Sequence, residues 1–374
     1  MDEARFQRLA LLITGCAAFA MMGAGLSLYG PSVLSYQRLF GLNSGDAGWV
    51  LSAHWVGSLS GVLVMFLFPG KIGPRPGLFL FAAGGGMLGA GLSWGLTLLG
   101  AVTLGLGYGL LGAVFNPRIL ALFGVRGPAM LALINAVFSF GAIMAPLAFT
   151  MVASNPERLF MFMGLLTFVV FLAAGPASRT NASGAAVGIG FRMNPPILIL
   201  GAFGIGLEVA LVGLGPSALV QSGIDETTAA KLLSAFYLTF LLGRIVLIFM
   251  AERLPAFGIF LAGMILTSVG LWGCALISPA WFFAPIGIAA GLFFPGYYVT
   301  GTALLGNDPR VSPFLIGVAQ VGAMLLPLGL AQTIEPLGQR GFFWVAAGLT
   351  LGLSVVAALV YPRLSRAVQA RRRE

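Results

Sequence analysis

Residues 29–34 read YGPSVL and residues 214–219 read LGPSAL, nearly the same proline-containing hexapeptide 185 positions apart. Six letters alone can coincide, so the flanking sequence decides. LSAHW at 51–55 precedes Gly61, and LSAFY at 233–237 precedes Gly243, an offset of 182. GAIMAPL at 141–147 is answered by GAMLLPL at 322–328, an offset of 181. Three matches at nearly one offset define an internal repeat.

The composition says what is repeated. Of 374 residues, 59% are hydrophobic and only 8% charged, and the mean hydropathy is +0.99. A soluble domain carries roughly 25% charged residues because its surface faces water, so the main solvent of this chain is lipid. An apolar helix of about 20 residues crosses about 30 Å of hydrocarbon. Twelve such segments are predicted, at 8–34, 45–69, 76–95, 97–123, 128–152, 158–177, 195–220, 226–250, 256–277, 280–304, 310–333 and 340–361. The third and fourth are separated only weakly, around residues 94–96. Matched segments lie six spans apart, an even number, so corresponding helices cross in the same direction. The expected fold is therefore an all-α membrane protein made of two parallel six-helix repeats related by an axis along the membrane normal. Residues 1–177 form the first bundle, the Ser-, Gly- and Ala-rich stretch 178–194 the linker, and residues 195–374 the second bundle with a basic tail.

Charge sets the topology. Arg5 and Arg8 precede the first span as they would in a signal peptide, but that span exceeds a signal core of about 7 to 15 residues, so it is read as a retained helix. With both termini inside, fifteen Lys and Arg residues fall in cytoplasmic stretches and four (Arg38, Arg158, Lys231 and Arg340) outside. That bias places both ends in the cytoplasm of a cell inner membrane. The net charge of +9 then reflects inner-face residues that meet anionic lipid headgroups, not a nucleic-acid surface. Cys16 and Cys274 lie within predicted spans, so neither a disulfide nor a metal framework is expected, and no cofactor. Asn181-Ala182-Ser183 has the form of a glycosylation acceptor but falls on the cytoplasmic side.

Pro31 and Pro216, and likewise Pro146 and Pro327, occupy matched positions in the two halves. A proline inside a span frees a carbonyl and bends the helix, which is tolerated where neighbours or cavity water satisfy it. With twelve spans in two parallel sixes, a polar central linker and internal termini, the chain resembles the major facilitator superfamily over essentially its whole length. The superfamily's loop signature, roughly G-x-L-x-D-R-x-G-R-R after the second and eighth helices, is present in degraded form. FLFPGKIGPR at 66–75 keeps the glycine and the terminal arginine but has Gly70 where the acid belongs. In the second half Gly243-Arg244 is followed by Ala251-Glu252-Arg253, which retains an acidic–basic pair. The resemblance implies gating roles for Arg244, Glu252 and Arg253. Gly206-Leu207-Glu208-Val209, Asn116 and the stretch 135–146 look similar to the fucose/proton and glucose/proton symporter branch. That branch also uses acids in its first and fourth helices, where this chain has none.

Among polar residues Glu208 stands out as the carboxylate placed deep in hydrocarbon, where an unpaired charge costs at least about 2.5 to 3.5 kcal/mol. Gly201, Gly204 and Gly215 share its helical face, a stripe of small residues that turns toward other helices or a cavity. Glu208 can take up and release a proton as access alternates, coupling transport to protons, or bind substrate, or it can be a permanently protonated or Arg-paired group that joins helices. His54, with Ser58 and Gly61 on its face, either lines the cavity or packs as a hydrogen-bonded core residue; a metal would want more ligands than this helix offers. Asn135, and Gln320 at the repeat position of Ser139, either bind substrate or bond across helices. Asn116 is a further substrate candidate, while Arg118 beside it can clamp an anion, act at the inner gate, or reach the interface with its long stem. Tyr237, Tyr297 and Tyr298 can stack on a substrate ring or simply fill the core.

GYGLLG at 107–112 spells a dinucleotide-binding fingerprint, but no strand precedes it. Gly105/Gly109, Gly85/Gly89 and Gly91/Gly95 read instead as close helix packing. The expected function is secondary active transport of a small polar organic solute, with a sugar as the leading class, by alternating access with proton coupling, in a monomer. Efflux of amphipathic drugs and transport of organic anions are the alternatives. An intramembrane enzyme would need a nucleophile–base pair or metal cluster that one histidine and one deep carboxylate do not supply.

Overall fold

The computed structural model describes residues 3–42, 44–151, 155–178, 191–331 and 337–371, and all regular structure among them is helical. The helices are α1 (Glu3–Phe40), α2 (Ser44–Leu67), α3 (Pro74–Ala90), α4 (Trp94–Leu122), α5 (Gly127–Met151) and α6 (Pro156–Ala173), then α7 (Pro195–Gln221), α8 (Glu226–Met250) and α9 (Ala256–Leu276). A tenth span is split into α10a (Pro279–Ala290) and α10b (Phe293–Leu305), followed by α11 (Val311–Ala331) and α12 (Gly341–Arg371). Single helical turns at Gly124–Arg126 and Gly175–Ser178 complete the set. Counting α10a and α10b together, eleven spans among the described residues are long and apolar enough to cross a membrane, and α3, with 17 residues, is a shorter twelfth helix beside them. Large apolar side chains stay uncovered on them, Phe249 at 72% and Leu359 at 73% exposure for example, which only lipid tolerates. The chain divides into two compact units, residues 1–186 with 312–314, and residues 187–311 with 315–374. Most of the expected linker, 179–190, lies outside the described residues, as does the Asn181 acceptor.

The repeat is visible as a repeated set of helix crossings. In the first unit a Cβ at Gly61 on α2 would overlap the carbonyl oxygen of Leu106 on α4; in the second, a Cβ at Gly243 on α8 would overlap that of Ile288 on α10a. Glycine and partner are each displaced by 182 positions between the units. Gly141 on α5 meets the Ala20 carbonyl of α1 in the same way, and Gly322 on α11 meets that of Ala202 on α7. The glycines that open or follow the repeated words are thus the points where backbones touch, and a methyl at any of them would push two helices apart.

Several boundaries differ from the sequence expectation. The third and fourth spans separate sharply: Gly91 closes α3 in the left-handed region at φ 59°, and the Ser93 hydroxyl accepts from the Leu96 N–H at 3.2 Å to cap α4. Gly91 therefore ends a helix, and a Cβ on Gly95 would meet nothing within 4 Å, so this pair is no packing motif. Gly85, Gly89, Gly105 and Gly109 do lie in tight contacts with neighbouring helices. The tenth span breaks because Leu292 donates to Ala289 in a tightened turn and Pro295 has no N–H to continue the ladder. The helix bearing the C-terminal basic residues runs on to Arg371, about three turns past the expected end. Pro31, Pro146, Pro216 and Pro327 all lie inside continuous helix.

Candidate functional site

The second unit holds the deepest charges. α7 begins where Asn194 accepts from the Ile197 N–H at 3.4 Å and two prolines occupy the first helical positions. α8 begins where the Asp225 carboxylate accepts from the Thr228 N–H at 2.9 Å. With these starts, Glu208 stands at the midpoint of α7, two residues beyond Gly206, which packs against Gly322 of α11. Arg244 follows Gly243 on α8, and Thr239 holds that helix to α10a by donating to the Ala284 carbonyl at 2.5 Å.

The two charges meet. Arg244 Nη2 lies 3.7 Å from Glu208 Oε1, with side-chain exposures of 4% and 18%. That separation is an ion pair too long to be a hydrogen bond. The Arg244 guanidinium carbon sits 4.1 Å from the centroid of the Phe240 ring, one helical turn earlier, so the cation also rests on a π face. Glu208 Oε2 is buried with no hydrogen-bond partner among the described residues. Tyr237 is half-buried on the same face of α8, seven residues before Arg244. The arrangement is a carboxylate with one oxygen held by charge and the other uncommitted, a group able to exchange a proton or meet a solute.

In the first unit a histidine lies among aromatic rings. His54 is fully buried, with the rings of Tyr29 (5.2 Å), Trp55 (5.4 Å) and Tyr108 (5.1 Å) around it. Neither imidazole nitrogen, nor the Tyr29 hydroxyl, has a hydrogen-bond partner among the described residues. Buried polar atoms are usually satisfied, so a cluster of such atoms is uncommon. Asn116 and Asn135 both donate their amides to their own helices, to the Gly112 and Leu131 carbonyls at 2.8 Å each. The Asn116 carbonyl oxygen stays buried without a partner among the described residues.

The other candidates separate by environment. Gln320 is 7% exposed on α11. Tyr297 fills the space above Gly201, where even a methyl group would overlap its ring, and its hydroxyl donates to the Leu315 carbonyl at 2.9 Å. Tyr298 is fully buried and stacks on Phe294 at 5.5 Å. Tyr297 thus ties α10b to α7 and α11, while the ring contact of Tyr298 lies within α10b. Glu252 and Arg253 are exposed in the turn after α8. Arg118 is 9% exposed, and its Nη2 donates to the Ile72 carbonyl of the α2–α3 loop at 3.3 Å. Sequence reasoning passes over Tyr29, Trp55, Tyr108 and Phe240 as site residues, although Tyr29 and Trp55 stand within the repeated words and Phe240 lies one turn before Arg244.

Two compact units of apolar helices, built on a duplicated crossing pattern and carrying a buried ion pair in one and an aromatic-lined histidine in the other, define a polytopic membrane protein. The family profile of the Major Facilitator Superfamily matches residues 15–313, and the chain belongs to that superfamily of transporters. Solved structures agree in fold. The E. coli fucose:proton symporter FucP aligns at 17% identity with a TM-score of 0.74, covering 93% of this chain and 97% of that one. The proton:xylose symporter XylE, bound to 6-bromo-6-deoxy-D-glucose, aligns at 12% identity and 0.74, covering 96% of each. The human organic anion transporter MFSD10 aligns at 16% identity and 0.66, covering 96% of this chain and 100% of that one. No curated protein sequence matches significantly.

Proposed function

We propose that the chain is a proton-coupled secondary transporter that moves a small polar organic solute by alternating access, without enzymatic chemistry, as a monomer in a cell inner membrane with both termini cytoplasmic. The observation that carries the proposal is the Glu208–Arg244 pair at 3.7 Å. A guanidinium stays charged throughout, so protonation of Glu208 cancels the attraction while Arg244 keeps its place on Phe240. One proton thereby changes what holds α7 to α8, and a proton gradient can bias that change. Glu208 is the coupling group and Arg244 its partner, and Tyr237, Gln320, His54, Asn116 and Asn135 are the candidate solute contacts.

A sugar is the leading solute class. The aromatic rings around His54 and its uncommitted nitrogens suit a hydroxylated ring, and two of the fold relatives are named as fucose and xylose symporters. An organic anion is the second reading, favoured by two buried guanidiniums, Arg118 and Arg244, beside one deep carboxylate among the described residues. Counterflow in proteoliposomes across sugars, organic acids and amphipathic drugs, with and without a pH gradient, tests the proposal. Accumulation of one class that collapses with the gradient is expected; chemical conversion of the solute, or uptake indifferent to the gradient, contradicts it.

A further inference from the structure

The two sides of the Glu208–Arg244 pair are held differently. On the Arg244 side, α8 and α10a touch backbone to backbone. Thr239 donates to the Ala284 carbonyl, a Cβ at Gly287 would overlap the Phe236 carbonyl, and one at Gly243 would overlap that of Ile288. One turn further along, at the break of the tenth span, a Cβ at Gly291 would lie 2.8 Å from the Phe240 carbonyl and 3.5 Å from Arg244 Cγ. The stem of Arg244 therefore packs against the face that a side chain at position 291 would occupy. Its guanidinium carbon lies 4.1 Å from the centroid of the Phe240 ring. That ring is held in turn, stacked on Phe236 at 6.1 Å with the planes 20° apart, and Phe236 packs on Phe283 of α10a at 5.4 Å. On the Glu208 side, α7 is keyed to other helices: Gly206 meets the Gly322 carbonyl of α11, and Gly201 lies against the Tyr297 ring of α10b. Toward α10a it presents Gly215 to a side chain, the Phe283 ring.

The repeat shows what is special here. At the offset of 182, Gly287 and Gly291 correspond to Gly105 and Gly109, while Phe240 and Arg244 correspond to Ser58 and Val62. In the first unit Gly109 serves to bring its backbone onto the Ser58 carbonyl. In the second unit the same glycine also borders the stem of a buried cation.

We propose that Phe240 and Gly291 are positioning residues for the coupling pair: they fix Arg244 in place, so that α8 and α10a form the fixed side of the pair and a change in the charge of Glu208 is felt by α7. The inference rests on the reading of Glu208 and Arg244 as that pair, and it adds the tenth span to the device. At 3.7 Å the pair has no hydrogen bond to set its geometry. An arginine side chain loses much rotamer freedom when it is ordered. A ring face and a closely packed stem impose that order before the pair forms, which leaves more of the attraction for pairing.

The test reads the coupling between Glu208 and Arg244 in the purified full-length chain, with no solute present. The unfolding equilibrium in detergent is measured for the wild type, Glu208→Gln, Arg244→Gln and the double variant, and the cycle is repeated on Phe240→Leu, Phe240→Tyr, Gly291→Ala and Gly263→Ala. Phe240→Leu and Gly291→Ala should each reduce the coupling, as a ratio of equilibrium constants, by at least about threefold, the size of a lost cation–π contact. Phe240→Tyr keeps the π face and should hold the coupling within about twofold of the wild type. Gly263→Ala is the packing control: its methyl would meet the Ala289 carbonyl of α10a at 2.9 Å, with Leu292 and Phe293 as its other near neighbours. It should lower stability and leave the coupling unchanged. If Gly291→Ala fails to fold, the two Phe240 variants decide. Coupling that is unchanged or larger in Phe240→Leu, reduced alike in Phe240→Tyr, or reduced equally in Gly263→Ala overturns the assignment. Because no solute enters the measurement, that failure is distinct from failure of the transport reading, which counterflow tests.

Discussion

Replacing Glu208 by glutamine keeps the side chain's shape and removes only its capacity for negative charge, so it isolates the ion pair. At 3.7 Å the Coulomb attraction is about 4 kcal/mol for an effective dielectric near 20. Removing the carboxylate also removes its own desolvation cost, and Arg244 keeps the Phe240 ring, worth about 0.5 to 2 kcal/mol. Loss of one partner from a buried pair costs about 3–5 kcal/mol; with Glu208 18% exposed, we expect about 2–3 kcal/mol here. Thermal or denaturant unfolding in detergent reads that loss. The double variant Glu208→Gln/Arg244→Gln, which leaves no buried charge unpaired, should recover at least about 1 kcal/mol relative to additivity. Transport supplies the decisive measurement. In proteoliposomes Glu208→Gln should lose pH-gradient-driven accumulation while counterflow exchange survives within about tenfold, because the group that binds the driving proton is gone but the solute contacts remain. Undiminished gradient-driven accumulation in this variant refutes the coupling role, and strict additivity of the two substitutions refutes the energetic account of the pair.

Further outcomes can be checked in the same preparations. Gly322→Ala sets a methyl against the Ala202 carbonyl and should lower stability by about 1–3 kcal/mol; an unchanged midpoint would mean that the α7–α11 crossing relaxes freely. His54→Phe keeps the aromatic box and removes two unsatisfied nitrogens, so the protein should stay folded while exchange falls at least about tenfold; wild-type exchange would assign His54 to packing alone. Tyr297→Phe loses only its bond to Leu315, costing about 1 kcal/mol of stability with transport retained; loss of transport without loss of stability would instead make Tyr297 a solute contact. Single cysteines introduced near each terminus should react with an impermeant thiol reagent only from the cytoplasmic side, and opposite labelling of the two ends would contradict the topology.

The fold was legible because its constraints act at single positions. A glycine where two backbones touch admits no substitute, so Gly61 and Gly243, or Gly141 and Gly322, survive duplication as letters in matching words. Span ends were less legible, since hydropathy does not register a cap or a tightened turn: the Gly91–Ser93 boundary and the break at 291–292 depend on local hydrogen bonds. The ion pair was half legible. Spacing placed Glu208 inward, and an arginine partner stood among its possible readings, but which arginine depends on how α7 and α8 are rotated about their axes, which no single segment states. The contact of Arg118 was hidden for a related reason: the Ile72 carbonyl that it meets comes from the α2–α3 loop, 46 residues away in sequence.

The two halves part at specific positions of the repeat. His54 and Trp55 correspond, at the offset of 182, to Phe236 and Tyr237, and Arg244 corresponds to Val62. The crossings around these positions remain paired in both units, but among the described residues the charge pair exists at the α7–α8 contact alone and the uncommitted imidazole in the first unit alone. A duplicated scaffold has no structural need for that asymmetry, because aromatic and aliphatic residues fill the corresponding positions of the other half. A buried ion pair and an unsatisfied histidine are each less favourable to fold around than their apolar counterparts. On the proposed function, Glu208 in the second unit would answer to protons and His54 in the first would meet a solute. Exchanging the two sets should separate these tasks: His54→Phe impairs binding in the presence and absence of a gradient, whereas Glu208→Gln impairs only the response to the gradient.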